Sequence, residues 1–138
     1  MIAKQSRLHV FRLYRGEDLR GAIETYVQKN GIRAAAVLSA VGCVSRLHIR
    51  DASGVTEHTK EDRFEIVSLM GTVGERTHLH VSFAGEDLAV IGGHLLSGCT
   101  VNTTAEIILE ELVGLRFSSE WDAETGYHEL RIEQTEES

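Results

Sequence analysis

Residues 78–94 read His78-Leu79-His80-Val81-Ser82-Phe83-Ala84-Gly85-Glu86-Asp87-Leu88-Ala89-Val90-Ile91-Gly92-Gly93-His94, two strand-like runs about a turn-forming Gly-Glu-Asp cluster. Alternate residues of a strand share a face, so His78 and His80 point the same way. Pairing Ala84 with Leu88 across a three-residue loop sets His94 opposite His78 and Gly92 opposite His80. Opposed side chains start about 5 Å apart at Cβ, and glycine leaves room over the neighbouring position. A slip of one residue would turn His94 to the other face, so the arrangement depends on the turn.

Around this hairpin the chain punctuates itself clearly. Leu8, Val10 and Leu13 lie in a short opening strand, and Gly16-Glu17-Asp18 supplies a helix start. Leu19, Ala22, Ile23, Tyr26 and Val27 recur at helical spacing before the stop at Asn30-Gly31. The apolar run from Ala34 to Val44 is read as a buried strand bent at Gly42 and continuing through Arg50. Asp51-Ala52-Ser53-Gly54 then turns into a strand over Val55–Thr59, with a further strand over Phe64–Val73. After the histidine hairpin come Thr100–Val113, Arg116–Trp121 and Tyr127–Ile132. One helix and seven or eight strands joined mainly by short turns predict an α+β fold: an antiparallel or mixed, strongly curved sheet packed with one main N-terminal helix.

The 138 residues, 42% hydrophobic and 25% charged, suit one globular domain. It is expected over residues 7–132, followed by an acidic, flexible tail over 133–138. No apolar run is long enough to cross a bilayer, and Met1–Arg7 is not a secretory h-region, so the expected compartment is the cytoplasm. Cys43 and Cys99 stand far apart without metal spacing and are read as small, reduced residues. Fourteen basic against 21 acidic residues give a net charge of −7, which repels a DNA duplex overall. No dense basic run interleaves with aromatics to overcome that field locally.

Three neutral imidazoles can hold zinc or a related divalent transition ion and leave a position open for water or a small-molecule ligand. Spacing alone keeps two readings open for His78, His80 and His94: a metal site, or histidines satisfied within the fold. Glu65 shares strand parity with Val67, Leu69 and Val73, which makes it a candidate base, extra ligand or partner to a ligating histidine; the alternative is a solvated strand end. Asn102, Thr104 and Glu106 form a polar strip that lines a ligand pocket, orients a metal-bound histidine through a hydrogen bond, or simply faces water. His9, His48, His58 and His128 are read as surface or structural residues. No helical HExxH, nucleophile elbow, phosphate loop or dinucleotide fingerprint occurs.

Ordered blocks at Leu38–Gly42, Phe64–Val73, His78–Ser82, Gly92–Leu95 and Thr104–Glu106 resemble the plants and prokaryotes conserved (PPC) domain family, and the resemblance spans most of residues 7–132. It implies an α+β domain, commonly a homotrimer, with metal carried in single-domain prokaryotic members at histidines matching His78, His80 and His94. It favours the metal reading of the trio. In plants, similar domains follow AT-hook DNA-binding segments; this chain has no Arg-Gly-Arg-Pro hook and no proline. The expected function is therefore a zinc-binding, homotrimeric binding or regulatory module. The alternatives are a hydrolase-like, metal-dependent enzyme acting on a polar metabolite and, ranked below it, a DNA-binding protein.

Overall fold

The computed structural model describes residues 1–136. The end of the expected acidic tail, residues 137 and 138, lies outside the described residues. In chain order the elements are β1 (Gln5–Tyr14), α1 (Leu19–Lys29), β2 (Ala34–Arg50), β3 (Glu57–Gly74), β4 (His78–Ala84), β5 (Val90–Leu95), β6 (Thr100–Val113), β7 (Leu115–Asp122) and β8 (Tyr127–Gln134). β8 thus runs on through Glu133 and Gln134, and Thr135 donates its N–H to the Gly114 carbonyl at 2.8 Å.

Six strands form an antiparallel sheet in the order β1-β6-β2-β3-β4-β5, and β7 pairs with β8 as a separate hairpin. The last two residues of β2, Ile49 and Arg50, also pair with Leu95 and His94 of β5. That contact closes β2-β3-β4-β5 into a ring, which curves the sheet strongly. The curvature is bought with irregularities: register shifts at Val44/Arg46 in β2 and at Ile66/Ser68 in β3 bend strands of 17 and 18 residues.

The α+β expectation is corrected by the proportions. Strands make up 65% of the chain and helix 8%, so this is a predominantly β domain. The strands expected over Val55–Thr59 and Phe64–Val73 are not separate: β3 starts at Glu57, leaving Val55 and Thr56 in the turn, and runs on through Phe64–Val73, because the polar stretch between stays extended as it pairs with β2. Helix α1 has 11 residues, about 16 Å of length at 1.5 Å per residue, too short to cover a sheet of six strands spaced about 4.8 Å apart. It acts as a plug for the concave face.

The helix starts and stops where the sequence implied, though Glu17 and Asp18 precede its first turn and do not lie in it. Asp18 caps the N-terminus by accepting from the Gly21 N–H at 2.8 Å, and Asn30 follows the last turn. Leu19, Ile23 and Val27 are buried against the inner face of the sheet, where Val44, Leu47, Leu79, Phe83, Leu95 and Leu109 complete the core. At the edge of this core His9 contacts Glu111 at 2.7 Å and the Tyr26 hydroxyl at 3.1 Å, which satisfies the buried carboxylate. The ring of strands turns the other face of β4 and β5 outward, and the three histidines stand there.

Candidate metal centre

In β4 the apolar residues Leu79, Val81 and Phe83 are buried, so the pleat sends His78 and His80 to the outer face. β5 brings His94 directly opposite His80, and Gly92 opposite Ser82. The register expected from a three-residue loop is therefore corrected by two residues. Residues 85–89 form the turn, closed by Gly85 N–H to the Ala89 carbonyl at 3.1 Å, with Leu88 at φ 67°. A shift of two preserves side-chain parity, so His94 still joins the same face. Gly93 admits a close backbone approach. A Cβ there would collide with the Arg50 carbonyl oxygen, so glycine lets β5 close against β2.

The three rings converge. Their ligand nitrogens all lie within 4.8 Å of one another, and ring centroids are 5.0, 5.5 and 5.8 Å apart. His78 Nε2 and His80 Nε2 are 3.3 Å apart. Two nitrogens each about 2.05 Å from a tetrahedral zinc are separated by roughly 3.3–3.4 Å, so this pair already has the spacing of one edge of such a site. The donor set of three imidazoles fits a divalent transition ion with a fourth position open.

Burial lowers the pKa of His94 to about 4, reinforced by the positive charge of Arg50; His78 is lowered for the same first reason, with Arg76 as the next cause. Both rings thus stay neutral, the ligating form, at neutral pH. The sign of the linkage follows. Between the ordinary value of 6.5 and about 4, the unfolded chain binds a proton at residue 94 that the folded chain does not, so stability falls as pH drops through this window. Urea midpoints of metal-free protein are expected to decline from pH 7 to pH 4.5, with a shallower decline in His94→Gln.

The trio opens onto a cleft of about 470 Å³. Its walls include Arg50, Arg76 and, from the β7–β8 hairpin, Tyr127 and Glu129. Arg76 was legible in principle, because Arg76, His78 and His80 are spaced by two along the chain. Arg50 and the hairpin residues reach the cleft through pairings distant in sequence, for which no local pattern exists. Asp51, also on this wall, is held at a pKa of about 2 by hydrogen bonds from Ser53 and His58.

None of Glu65, Asn102 and Glu106 lines this cleft. Glu65 is exposed, because the irregularity at Ile66/Ser68 breaks the parity that would have aligned it with Leu69 and Val73. Glu65 and Asn102 instead border a second depression of about 520 Å³, where Arg15 holds the Asn102 side-chain oxygen at 3.0 and 3.2 Å. Glu106 is exposed on β6 between Arg12 of β1 and Val41 of β2.

This arrangement has relatives. The chain is 38% identical over 133 residues to bifunctional protein GlmU of a Synechococcus strain, a match covering 96% of this chain but 21% of that protein. It spans about a fifth of that curated relative's length. A solved structure of a hypothetical protein from Salmonella superposes with a TM-score of 0.92 at 33% identity, covering 96% of both chains. A metal-containing protein from Archaeoglobus fulgidus gives 0.74 at 30% identity, covering 91% of this chain and 93% of that one. The model of the Plants and Prokaryotes Conserved (PCC) domain matches residues 2–113, which takes in the whole six-stranded sheet and the histidine trio. The chain belongs to the Plants and Prokaryotes Conserved domain family.

Proposed function

We propose that this protein is a metal-binding PCC-domain module that holds one divalent ion of the zinc class at His78, His80 and His94 and works as a homotrimer. The observation that carries the metal reading is the convergence of three ligand nitrogens within 4.8 Å on one outer face of β4 and β5. The metal-containing relative from Archaeoglobus supports it. Such an ion supplies a Lewis-acidic position able to hold or polarise a ligand. The protein's own part is to present neutral rings on rigid paired strands and to shape the cleft above them.

The trimer reading is supported by the outer sheet face. Leu8, Val10, Leu38, Val41, Val67 and Met70 are each more than half exposed, and Met70 lies directly opposite His80 in the β3–β4 register. An apolar surface of this kind on one side of a sheet is what a second copy buries. Among the described residues no helix is long and apolar enough to cross a membrane. Cys43 and Cys99 are both free, which supports a reducing, cytoplasmic setting.

The enzymatic alternative is favoured by one feature, the Glu129 carboxylate on the cleft wall, where it could handle a proton for a ligand at the open position. Turnover of a polar ester or amide that Glu129→Gln abolishes, with metal content unchanged, would establish it. DNA association is tested by salt-dependent titration, and no binding even at low salt counts against it. Native mass spectrometry of protein purified without added metal tests the main reading. The expected mass is that of three chains with three transition ions; monomers or metal-free trimers contradict it.

A further inference from the structure

Two arginines stand at the metal cleft. Arg50 and Arg76 both line it, and Arg50 is paired with His94 across the β2–β5 contact, which starts the two side chains only about 5 Å apart. Cations beside a cation site are costly, because like charges at such distances repel. The chain does not lack partners for them: acidic residues outnumber basic ones 21 to 14, and Arg20, Arg63 and Arg116 all meet carboxylates. Yet neither Arg50 nor Arg76 forms an ion pair among the described residues, and the Arg50 Nε is fully buried with no hydrogen-bond partner. Arg50 is only half-buried and lines the cleft, so an anion there could be met by the guanidinium that the fold leaves unpaired. The two carboxylates on the same walls leave the arginines unclaimed: Asp51 binds His58 at 2.7 Å, and Glu129 accepts from the Thr125 hydroxyl at 3.1 Å.

Resting on the metal reading above, we infer that the cleft binds a small oxyanion, a carboxylate or phosphate group, with one oxygen at the open metal position and another hydrogen-bonded by Arg50 and Arg76. Guanidinium groups present paired donors that match the oxygens of such groups. A cleft of about 470 Å³ has room for a small metabolite around that group. The charge arrangement also makes metal and anion cooperative. Without the anion, the arginines weaken metal binding; with it, their charge is neutralised, so each ligand tightens the other by the same factor.

Cobalt(II)-loaded protein tests this, since the visible spectrum of the ion responds to its fourth ligand. Inorganic phosphate and acetate are titrated separately, which distinguishes phosphate from carboxylate recognition. At least one is expected to change the spectrum saturably. Arg50→Met and Arg76→Met should each retain one cobalt per chain while raising the half-saturating anion concentration tenfold or more, with Arg50→Lys in between. Cobalt affinity in anion-free buffer should be unchanged or higher in both Met variants, a result that mere structural damage would not give. Wild-type protein that takes up no cobalt overturns the metal reading and this one with it. Bound cobalt whose spectrum ignores both anions, or responds with equal affinity in wild type and in whichever Met variant folds, overturns the oxyanion site alone.

Discussion

Replacing His78, His80 and His94 together by alanine is expected to abolish transition-metal binding and leave the fold intact. The three side chains stand on the outer face, half-buried or exposed, while the neighbouring Leu79, Val81 and Leu95 carry the core. Their removal therefore opens no cavity of the kind that makes core truncations cost several kcal/mol. Metal that binds only the folded chain stabilises it by about 4 kcal/mol at a thousandfold excess over its dissociation constant. In a chain of this size that is on the order of 10 °C in Tm. Chelator should thus lower the wild-type Tm by about that amount and leave the triple variant unmoved, with the variant melting close to the metal-free wild type. Equal metal content in both proteins would remove the site from these residues.

The second large effect is expected at Gly71. This residue sits opposite Leu79 in the β3–β4 register with φ 142°, a conformation unfavourable for any side chain. A Cβ there would overlap the carbonyl oxygen of His78. Gly71→Ala should cost about 3 kcal/mol or more, combining backbone strain with a clash that only strand separation relieves. Because the displaced strand carries His78 and His80, metal affinity should fall at least tenfold in whatever protein remains folded. Gly126→Ala is the control: φ is 75° but a Cβ meets nothing within 4 Å, so strain acts alone and the cost should stay near 1 kcal/mol. Urea denaturation of the two variants separates the terms, and equal losses would show that close approach at Gly71 contributes nothing.

Legibility in the sequence followed locality. The alternation around His78 and His80, the helix start at Gly16-Glu17-Asp18 and the stop at Asn30-Gly31 are short-range signals, and the structure uses each of them. The face shared by His94 was readable because parity survives a two-residue error in register, whereas its partner, His80 instead of His78, was not. Glu65 shows the opposite case. An irregularity one residue away resets parity, so a correct alternation on either side gives a wrong face. The balance of helix and strand is not legible locally, because α1 is the strongest local pattern in the chain, while the length of β3 depends on pairing with β2 through a polar stretch. Arg50 reaches the cleft only because the ring of strands closes at Ile49 and Arg50, a contact between segments more than forty residues apart.

Three imidazoles are expected to hold one ion. X-ray absorption at the metal edge of zinc-loaded protein addresses it directly. The spectrum should show three imidazole nitrogens and one further light atom at about 2.0–2.1 Å, with no sulfur. Coordination by sulfur from Cys43 or Cys99, or a shell of oxygens without imidazole scattering, would contradict it.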